Sequence, residues 1–340
     1  MLKLLKRLTE TDGVSGDEHR VRELIKQEIS PYVDSMSADS MGNLIAMKKG
    51  SAQNPKKIMI DAHMDEVGLI ITHIGDDGML KFGVIGMDQR VLLSKRVLIA
   101  GKVPGVIGVK AIHLQEKDER NSVVKKENMY IDIGAASKEE AEGLVSLGDY
   151  AAFTTKCEDI GSGRIKAKAL DDRVGCAVLI EVLKEKNYPD DVYFNFAVQE
   201  EVGLRGAGVA AYRINPDVGI AIEGTTCSDV PGADEHMYST VMGCGPAISV
   251  IDRSSYSSRE IVDGLKEAAE GAGIPYQMKR TMTGGNDAGM MQRTHEGAKT
   301  GVVSVPVRYI HSPASIVDPV DFENTVKLIK EFLRKGVCCK

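Results

Sequence analysis

Carboxylate and imidazole side chains follow the short apolar runs of this sequence, at the positions where strands are predicted to end. The residues found at these positions are His63, Asp65, Glu200, Glu201, Glu223 and His311. In an open α/β sheet the carboxyl ends of the strands meet at one edge, so side chains that are distant in sequence converge there. Imidazole and carboxylate groups together suit zinc and related ions such as cobalt and manganese. The sequence therefore predicts a divalent-metal centre at the edge of a sheet.

A further acidic pair, Asp171 and Asp172, lies just before a helix that is predicted to begin near Arg173. Backbone N–H groups and the dipole at the start of a helix keep such a carboxylate ionised and able to bind a cation. Two histidines and three carboxylates can hold two ions when one carboxylate bridges them. Two ions about 3.5–4 Å apart lower the pKa of a shared water, so that hydroxide forms near neutral pH. A remaining carboxylate would accept and return the proton.

Each of these features also has a purely structural interpretation. A single histidine after a strand is more often structural, and an Asp-Asp pair before a helix is most often a cap. Glu200 and Glu201 could simply begin a solvated helix. Their combination favours chemistry, because an apolar strand that runs into two acids places a costly pair of charges at a buried sheet edge.

Strands and helices alternate in the two segments that carry these residues. Two amphipathic helices begin the chain, and Ser15 and Glu18 have the spacing of a capping box for the second helix. Strands are predicted over 43–47, 58–60, 192–198, 218–222, 247–251 and 302–309, and helices over 173–186, after 203, and over 258–271 and 322–334. This alternation predicts an α/β fold, a three-layer α/β/α sandwich with a mainly parallel central sheet.

The segment between these two has a different pattern, with short β-rich runs separated by glycines and a turn at 76–78. One helix is predicted near 137–144, where Ser137 and Glu140 have capping-box spacing. We therefore expect an inserted, barrel-like β-rich domain over residues 69–162. The catalytic domain would comprise residues 1–68 and 163–340.

The composition excludes several classes of partner. The 340 residues include 43 Lys and Arg against 49 Asp and Glu, which gives a net charge of −6. A general nucleic-acid or anionic-membrane binder is expected to carry a basic excess instead. With no Trp and six Phe, the chain also offers few aromatic faces for gripping a carbohydrate polymer.

The cysteines and the amino terminus indicate a cytoplasmic protein. The cysteines are Cys157, Cys176, Cys227, Cys244, Cys338 and Cys339, and none of them forms a Cys-x-x-Cys motif. This usage favours a reducing compartment. The first residues lack the pattern of a signal peptide, and no apolar run approaches the roughly 18 residues that a membrane-spanning helix requires.

Five segments, AHMDEVG, ALDDRVG, VQEEVGLRGA, AIEGT and YIHSP, occur in this order along nearly the whole chain. Together they resemble the dinuclear metallo-aminopeptidases of the tetrahedral aminopeptidase and glutamyl aminopeptidase family, some of whose members are labelled cellulase or endoglucanase. The resemblance implies that one ion is bound by His63, Asp171 and Glu223, and the other by Asp171, Glu201 and His311. Asp171 would bridge the two ions. Many relatives have Asp at the position of Glu223, which leaves the geometry of that ion less defined.

The resemblance also assigns two supporting roles. Glu200 would be the general base and acid, and Asp65 would hold the ring of His63 in one tautomer. The activity implied is hydrolysis of the amino-terminal peptide bond of short peptides by a hydroxide that bridges two divalent ions. Zinc is the first choice of metal, with cobalt and manganese as alternatives. In this family the inserted domain pairs subunits, which implies a homo-oligomer: a dodecamer built from dimers first, and a dimer second.

Three other functions stay open from the sequence. They are removal of an acyl group from N-acyl amino acids, glycoside hydrolysis, and an inactive assembly subunit that keeps the fold. The scarcity of aromatic residues disfavours the glycosidase, and the presence of Glu200 with every proposed ligand disfavours the inactive subunit. The preferred amino-terminal residue of the substrate does not follow from the sequence.

The remaining polar motifs are given structural interpretations. The Gly-rich segment 283–289 lacks the Lys-Ser/Thr of a phosphate loop, so a tight turn is favoured over nucleotide binding or substrate contact. His19, His73 and His113 are predicted to be structural. His236 and His295 lie in predicted loops that could approach the cleft.

Overall fold

The computed structural model describes residues 2–336, so Cys338 and Cys339 lie outside the described part of the chain. The helices are α1 (Leu2–Glu10), α2 (His19–Ile29), α3 (Lys117–Arg120), α4 (Lys138–Glu142), α5 (Leu170–Leu183), α6 (Arg205–Ile214), α7 (Arg259–Gly271), α8 (Ala288–Met291) and α9 (Pro319–Arg334). The strands up to the middle of the chain are β1 (Ser35–Ala38), β2 (Leu44–Lys48), β3 (Lys57–His63), β4 (Gly68–Ile74), β5 (Leu80–Ile85), β6 (Arg96–Ile99), β7 (Val103–Val109), β8 (Met129–Asp132) and β9 (Tyr150–Phe153). The later strands are β10 (Glu158–Ile160), β11 (Arg164–Ala167), β12 (Asp191–Ala197), β13 (Val218–Thr226), β14 (Ala247–Ser249), β15 (Gln277–Met278), β16 (Lys299–Arg308) and β17 (Ser315–Val317).

A large mixed sheet forms the centre of the molecule, with the strand order β1-β2-β12-β3-β13-β16-β17-β11-β10. Its four central strands β12, β3, β13 and β16 are parallel, and antiparallel strands flank them. One row of paired residues crosses these strands at Phe194, Ile60, Ile220 and Gly301. Because all four strands run in the same direction, their carboxyl ends lie at one edge of the sheet.

Helices cover both faces of this sheet. Ile58 and Ile60 of β3 join a core that includes residues of α1, α2, α5, α7 and α9, whereas Met59 joins a second core with residues of α6 and α8. Successive side chains of a strand point to opposite faces, so this alternation places a helical layer on each side. The predicted three-layer α/β/α sandwich is confirmed.

Strands β4 to β9 form a separate closed barrel in the order β4-β5-β8-β7-β6-β9. It has its own apolar core, which includes Leu69, Leu80, Ile107 and Ile131. The barrel confirms the predicted inserted β-rich fold, although β10, inside the predicted insertion, pairs with β11 of the large sheet. The helix predicted near 137–144 is α4, and Ser137 caps it by accepting a hydrogen bond from the N–H of Glu140.

One feature of the local structure differs from the sequence predictions. Ser15 does not cap α2, which begins at His19 without a side-chain cap. The hydroxyl of Ser15 instead donates a hydrogen bond to the carboxylate of Asp65. Because that carboxylate is buried, this hydrogen bond is favoured over capping of the helix. Within the range of α5, the backbone at Asp171 and Asp172 is not helical, in keeping with the helix predicted to begin near Arg173.

The described cysteines and helices also bear on the expectations about location. The four cysteines within residues 2–336 are free thiols. Over the same range, none of the helices combines the length and the apolar character needed to cross a bilayer.

Candidate functional site

The structure brings the predicted site residues to the carboxyl edge of the parallel strands. His63 ends β3, Glu223 lies in β13, and Asp171 lies where β11 leads into α5. Glu200 and Glu201 occupy the turn after β12, and His311 follows β16. These side chains, except Asp65 beneath them, line one cavity of about 510 Å³.

Asp171 lies between two imidazoles and is close to both. Its Oδ1 atom is 3.5 Å from Nε2 of His63, and its Oδ2 atom is 3.4 Å from Nε2 of His311. An oxygen of Glu223 is 3.8 Å from Nε2 of His63, and an oxygen of Glu201 is 3.6 Å from Nδ1 of His311. With one ligand atom from each residue, two groups of three possible ligands share Asp171, one with His63 and Glu223 and the other with Glu201 and His311. A third possible group consists of His63, Glu200 and Glu201.

The donor atoms of these groups fit divalent cations. Oδ1 of Asp171 and Oε1 of Glu201 are buried and accept no hydrogen bond within the described residues. An unpaired carboxylate oxygen is costly in such a place, and a cation would pair it. Imidazole nitrogens and carboxylate oxygens are also the donor set that zinc and its neighbours accept.

The electrostatics of the cavity indicate a surplus of acid. Burial raises the pKa of Glu223 and of Glu201 well above the ordinary value, and it raises the pKa of Glu200 to about 7. Burial acts in the same direction on Asp171, but the nearby imidazoles of His311 and His63 outweigh it and keep the pKa of this carboxyl low. Few positive charges face these carboxyl groups. A bound cation would supply positive charge and would favour their ionised forms.

The two imidazoles respond to the same surplus. The nearby carboxylate of Asp171 raises the pKa of His311 to about 10. Burial lowers the pKa of His63, but the nearby carboxylates of Asp171 and Asp65 reverse this and raise it well above the ordinary value. The acidic surroundings thus favour a positive charge at both rings, which a bound cation would supply in place of protons.

Asp65 lies below the cavity, fully buried, and holds several of the other residues. Its Oδ1 atom accepts the N–H of Glu200 at 3.0 Å and is 3.3 Å from Nδ1 of His63, while the backbone carbonyl oxygen of Asp65 lies 3.1 Å from the same ring nitrogen. Its Oδ2 atom accepts the N–H of Glu201 at 3.1 Å and the hydroxyl of Ser15 at 2.6 Å. These contacts outweigh burial and lower the pKa of Asp65. The carboxylate is therefore an ionised hub between the His63 strand and the turn with the two glutamates.

The barrel contributes to the site through Gly86, which follows β5. Its carbonyl oxygen lies 2.5 Å from Nδ1 of His311 and can fix the orientation of that ring. Gly86 has a φ of +71°, and a Cβ atom there would lie 2.9 Å from an oxygen of Glu201. A glycine is required at this position for both reasons. Nothing in the sequence pattern indicated this contact.

Several residues beside the candidate ligands adopt left-handed backbone conformations although they are not glycines. They are Ala169, Gln199, Leu204, Tyr309 and His311, with φ between +53° and +62°. Such conformations are uncommon outside glycine and cluster at functional sites. They turn the chain sharply at the strand ends, which residue types alone do not reveal.

The Gly-rich segment forms part of the cavity wall. Thr283, Gly284, Gly285 and Asn286 line the cavity, which is where the alternative of substrate contact requires them. Lys279 lines the same wall and was not identified from the sequence. Its Nζ atom donates to the carbonyl oxygen of Thr283 at 3.2 Å, and burial lowers its pKa. Lys279 is the only lysine or arginine among the lining residues.

Neither of the two loop histidines lines the cavity. The ring of His295 stacks on Tyr212 with centroids 4.2 Å apart, and its Nε2 atom lies 2.7 Å from the carbonyl oxygen of the same tyrosine. His236 lies in a short 3₁₀ turn over Glu235–Met237. Both are separate from the site.

Comparison with protein families gives a match to the M42 glutamyl aminopeptidase family over residues 42–328. The chain is 34% identical to a lysyl aminopeptidase of Pyrococcus furiosus over 98% of this chain and 96% of that protein. It is 30% identical to a glutamyl aminopeptidase of Lactococcus lactis, over 94% of this chain and 91% of the relative.

Solved structures agree with these sequence matches. A TET aminopeptidase of a marine sediment Thaumarchaeota archaeon superposes with a TM-score of 0.95 at 36% identity, covering 98% of this chain and 96% of that one. The TET1 peptidase of Pyrococcus horikoshii gives a TM-score of 0.87 at 36% identity, with 98% of each chain covered. That peptidase is described as able to assemble into a tetrahedron or a large octahedral shell.

Proposed function

The chain belongs to the M42 glutamyl aminopeptidase family and is a peptide hydrolase. We propose that it removes amino-terminal residues from short peptides and that two divalent ions in the cavity take part in this reaction. The observation that carries the proposal is the shared position of Asp171 between two ligand groups on one cavity. Membership confirms the resemblance and the aminopeptidase activity inferred from the five sequence segments. The ions, their ligands and the residues that move protons are the proposed part.

Five side chains would hold the ions. One ion would be held by His63, Glu223 and Asp171. The other would be held by Glu201, His311 and Asp171, so that Asp171 belongs to both sites. Zinc is the first choice of metal, with cobalt and manganese as alternatives. When bound, such ions supply Lewis acidity, which polarises a carbonyl and acidifies water.

Glu200 would move the proton. Its carboxyl lies 3.9 Å from Nε2 of His63 and lines the cavity. It could form a ligand group with His63 and Glu201, but it belongs to neither of the two groups that share Asp171. A carboxyl whose pKa is about 7 can accept a proton from attacking water and return it to the departing amine. Asp65 would act as a positioning residue, because it contacts His63 and the backbone of Glu200 and lies below the cavity.

The charge of the cavity also supports exopeptidase action. The acidic side chains would receive the free ammonium group at the amino terminus of a peptide. Lys279, the single lysine of the wall, would favour a first residue with an acidic side chain. Relatives are named for both glutamyl and lysyl activity, so this preference belongs to the individual chain.

The assembly and location are proposed on related grounds. The barrel would pair subunits into dimers, and dimers would assemble into a dodecamer, in keeping with the large shells described for the Pyrococcus horikoshii peptidase. The inserted dimerisation domain would be residues 69–162, between the two parts of the catalytic domain. The free cysteines within the described residues agree with a cytoplasmic location.

Metal analysis of the purified protein, combined with a panel of aminoacyl anilides with and without chelator, tests the proposal. We expect hydrolysis of the free aminoacyl anilides, loss of activity with chelator, recovery on adding Zn²⁺, Co²⁺ or Mn²⁺, and no cleavage of N-acetylated anilides. Faster hydrolysis of N-acetyl amino acids would indicate the deacylase instead. A protein that binds metal but hydrolyses none of these substrates would be the inactive subunit.

A further inference from the structure

We propose that Ser15 is a positioning residue of the metal centre, which it supports by holding the carboxylate of Asp65. The inference rests on the proposed function, because it concerns how the candidate metal ligands are kept in place. Ser15 lies between α1 and α2. Residues 13–18 of this connection are called the N-terminal strap.

The hydroxyl of Ser15 makes a short hydrogen bond in a place that water does not reach. Its Oγ atom donates to Oδ2 of Asp65 at 2.6 Å, and both residues are buried, with 4% and 0% of their surface exposed. The other donor on Oδ2 is the N–H of Glu201 at 3.1 Å. Removal of the hydroxyl therefore leaves this oxygen with one donor, and bulk water cannot replace the other.

Asp65 transmits this restraint to the candidate ligands. The same carboxylate contacts the ring of His63 and accepts the N–H groups of Glu200 and Glu201. A rotation of the Asp65 side chain would thus loosen the turn that carries two acids and would remove the 3.3 Å contact between the carboxylate and the His63 ring. The hydrogen-bond contact of His63 Nδ1 with the backbone carbonyl oxygen of Asp65 would remain. Partners that orient metal ligands in this way typically contribute a factor of about 10–100 to metal affinity.

The strap itself is anchored on both sides of the site. The N–H of Ser15 donates to the carbonyl of Glu66 at 3.2 Å, and the N–H of Glu66 donates to the carbonyl of Gly13 at 3.0 Å. On the other side, the carboxylate of Glu18 accepts the N–H of Gln199 at 3.1 Å. The strap therefore ties the loop after β3 to the turn after β12, which gives Ser15 a fixed base from which to hold Asp65.

The test compares Ser15→Ala with the wild-type full chain in Co²⁺ binding. Metal-free protein is titrated with Co²⁺, the visible absorption is followed, and thermal unfolding is recorded in parallel. We expect Ser15→Ala to bind Co²⁺ about tenfold more weakly, and to lower kcat for an aminoacyl anilide with little change in KM.

Two control variants separate this role from a general loosening of the fold. Thr11→Ala removes an exposed hydroxyl that donates to the carbonyl of Arg7 and does not contact Asp65. Val14→Ala removes buried apolar atoms from the strap itself and leaves the Ser15 hydroxyl in place. Both should bind Co²⁺ as the wild type does, even if Val14→Ala lowers the unfolding temperature.

The inference is overturned if Ser15→Ala binds Co²⁺ as tightly as the wild type, or if Val14→Ala weakens binding equally. Absence of Co²⁺ binding by the wild type would overturn the proposed function and this inference with it. Wild-type binding with an unaffected Ser15→Ala variant leaves the proposed function intact and removes only the role of Ser15.

Discussion

The two candidate ligand groups share Asp171 but are held by different parts of the molecule. His63 ends a central strand, is 1% exposed, and is supported by Asp65 from within the large sheet. His311 follows β16 in a turn, has a φ of +55°, and its side chain is 45% exposed. Its Nδ1 atom faces the carbonyl of Gly86 beyond β5 of the barrel. The sheet fixes one group, whereas the second also depends on the inserted domain.

Replacement of the shared residue should have the largest effect, because it affects both groups at once. We expect Asp171→Asn to lose both ions and to reduce kcat/KM by about 1000-fold or more, since Lewis-acid stabilisation amounts to several kcal/mol. Metal analysis measures the loss of the ions, and hydrolysis of an aminoacyl anilide measures the reduction in kcat/KM. The exposed Asp159→Asn on β10 is the control; equal metal loss in both variants would contradict the assignment.

Replacement of Glu200, the proposed proton carrier, should leave metal ions bound to both ligand groups. We expect Glu200→Gln to keep the metal content of the wild type and to lose about 100-fold or more in kcat. Because only the deprotonated carboxylate accepts a proton, wild-type activity should fall on the acid side of about pH 7, in line with the raised pKa of Glu200. Exposed Glu296→Gln serves as control, and unchanged turnover in Glu200→Gln would remove this residue from the mechanism.

A change in the barrel should affect the second group more than the first. Gly86→Ala would place a methyl group 2.9 Å from an oxygen of Glu201, so we expect roughly tenfold weaker binding of one ion while the other is retained. Gly134→Ala is a matched control, since Gly134 has a similar φ of +79° and nothing within 4 Å of its Cβ position. Equal metal affinity in the two variants would show that the barrel does not support the site.

The smallest expected effect concerns the cavity wall away from both groups. Lys279→Met should reduce the preference for a glutamyl over a leucyl anilide by about fivefold, the value of one partly exposed ion pair. Lys279→Arg should retain the preference, and hydrolysis of the two anilides by each variant gives the comparison. An unchanged ratio in Lys279→Met would exclude this residue from substrate selection.

The sequence predicted those parts of the molecule that follow from strand patterning. Apolar runs such as 218–222 define central strands, and the acids and histidines after them necessarily meet at one edge. This reasoning located His63, Glu201 and His311 in one cavity although they are far apart in sequence. The alternation of strands and helices likewise predicted the sandwich, and the short β-rich runs separated by glycines predicted the insertion.

Contacts between separate loops were not predictable in the same way. Ser15 has capping-box spacing, but the donor requirement of Asp65 depends on a three-dimensional contact between residues 50 positions apart. The approach of Gly86 to His311 joins residues 225 positions apart in two different units. Lys279 carries no motif and becomes a candidate only once the cavity wall is known.

The order of the ligands along the chain has a consequence for protein synthesis. The second ligand group combines Asp171 and Glu201 with the imidazole of His311, which is translated after both. A nascent chain that has not yet reached His311 therefore lacks this ligand, even where earlier segments have already folded. The second ion would then bind only after β16 and the turn that follows it have been synthesised.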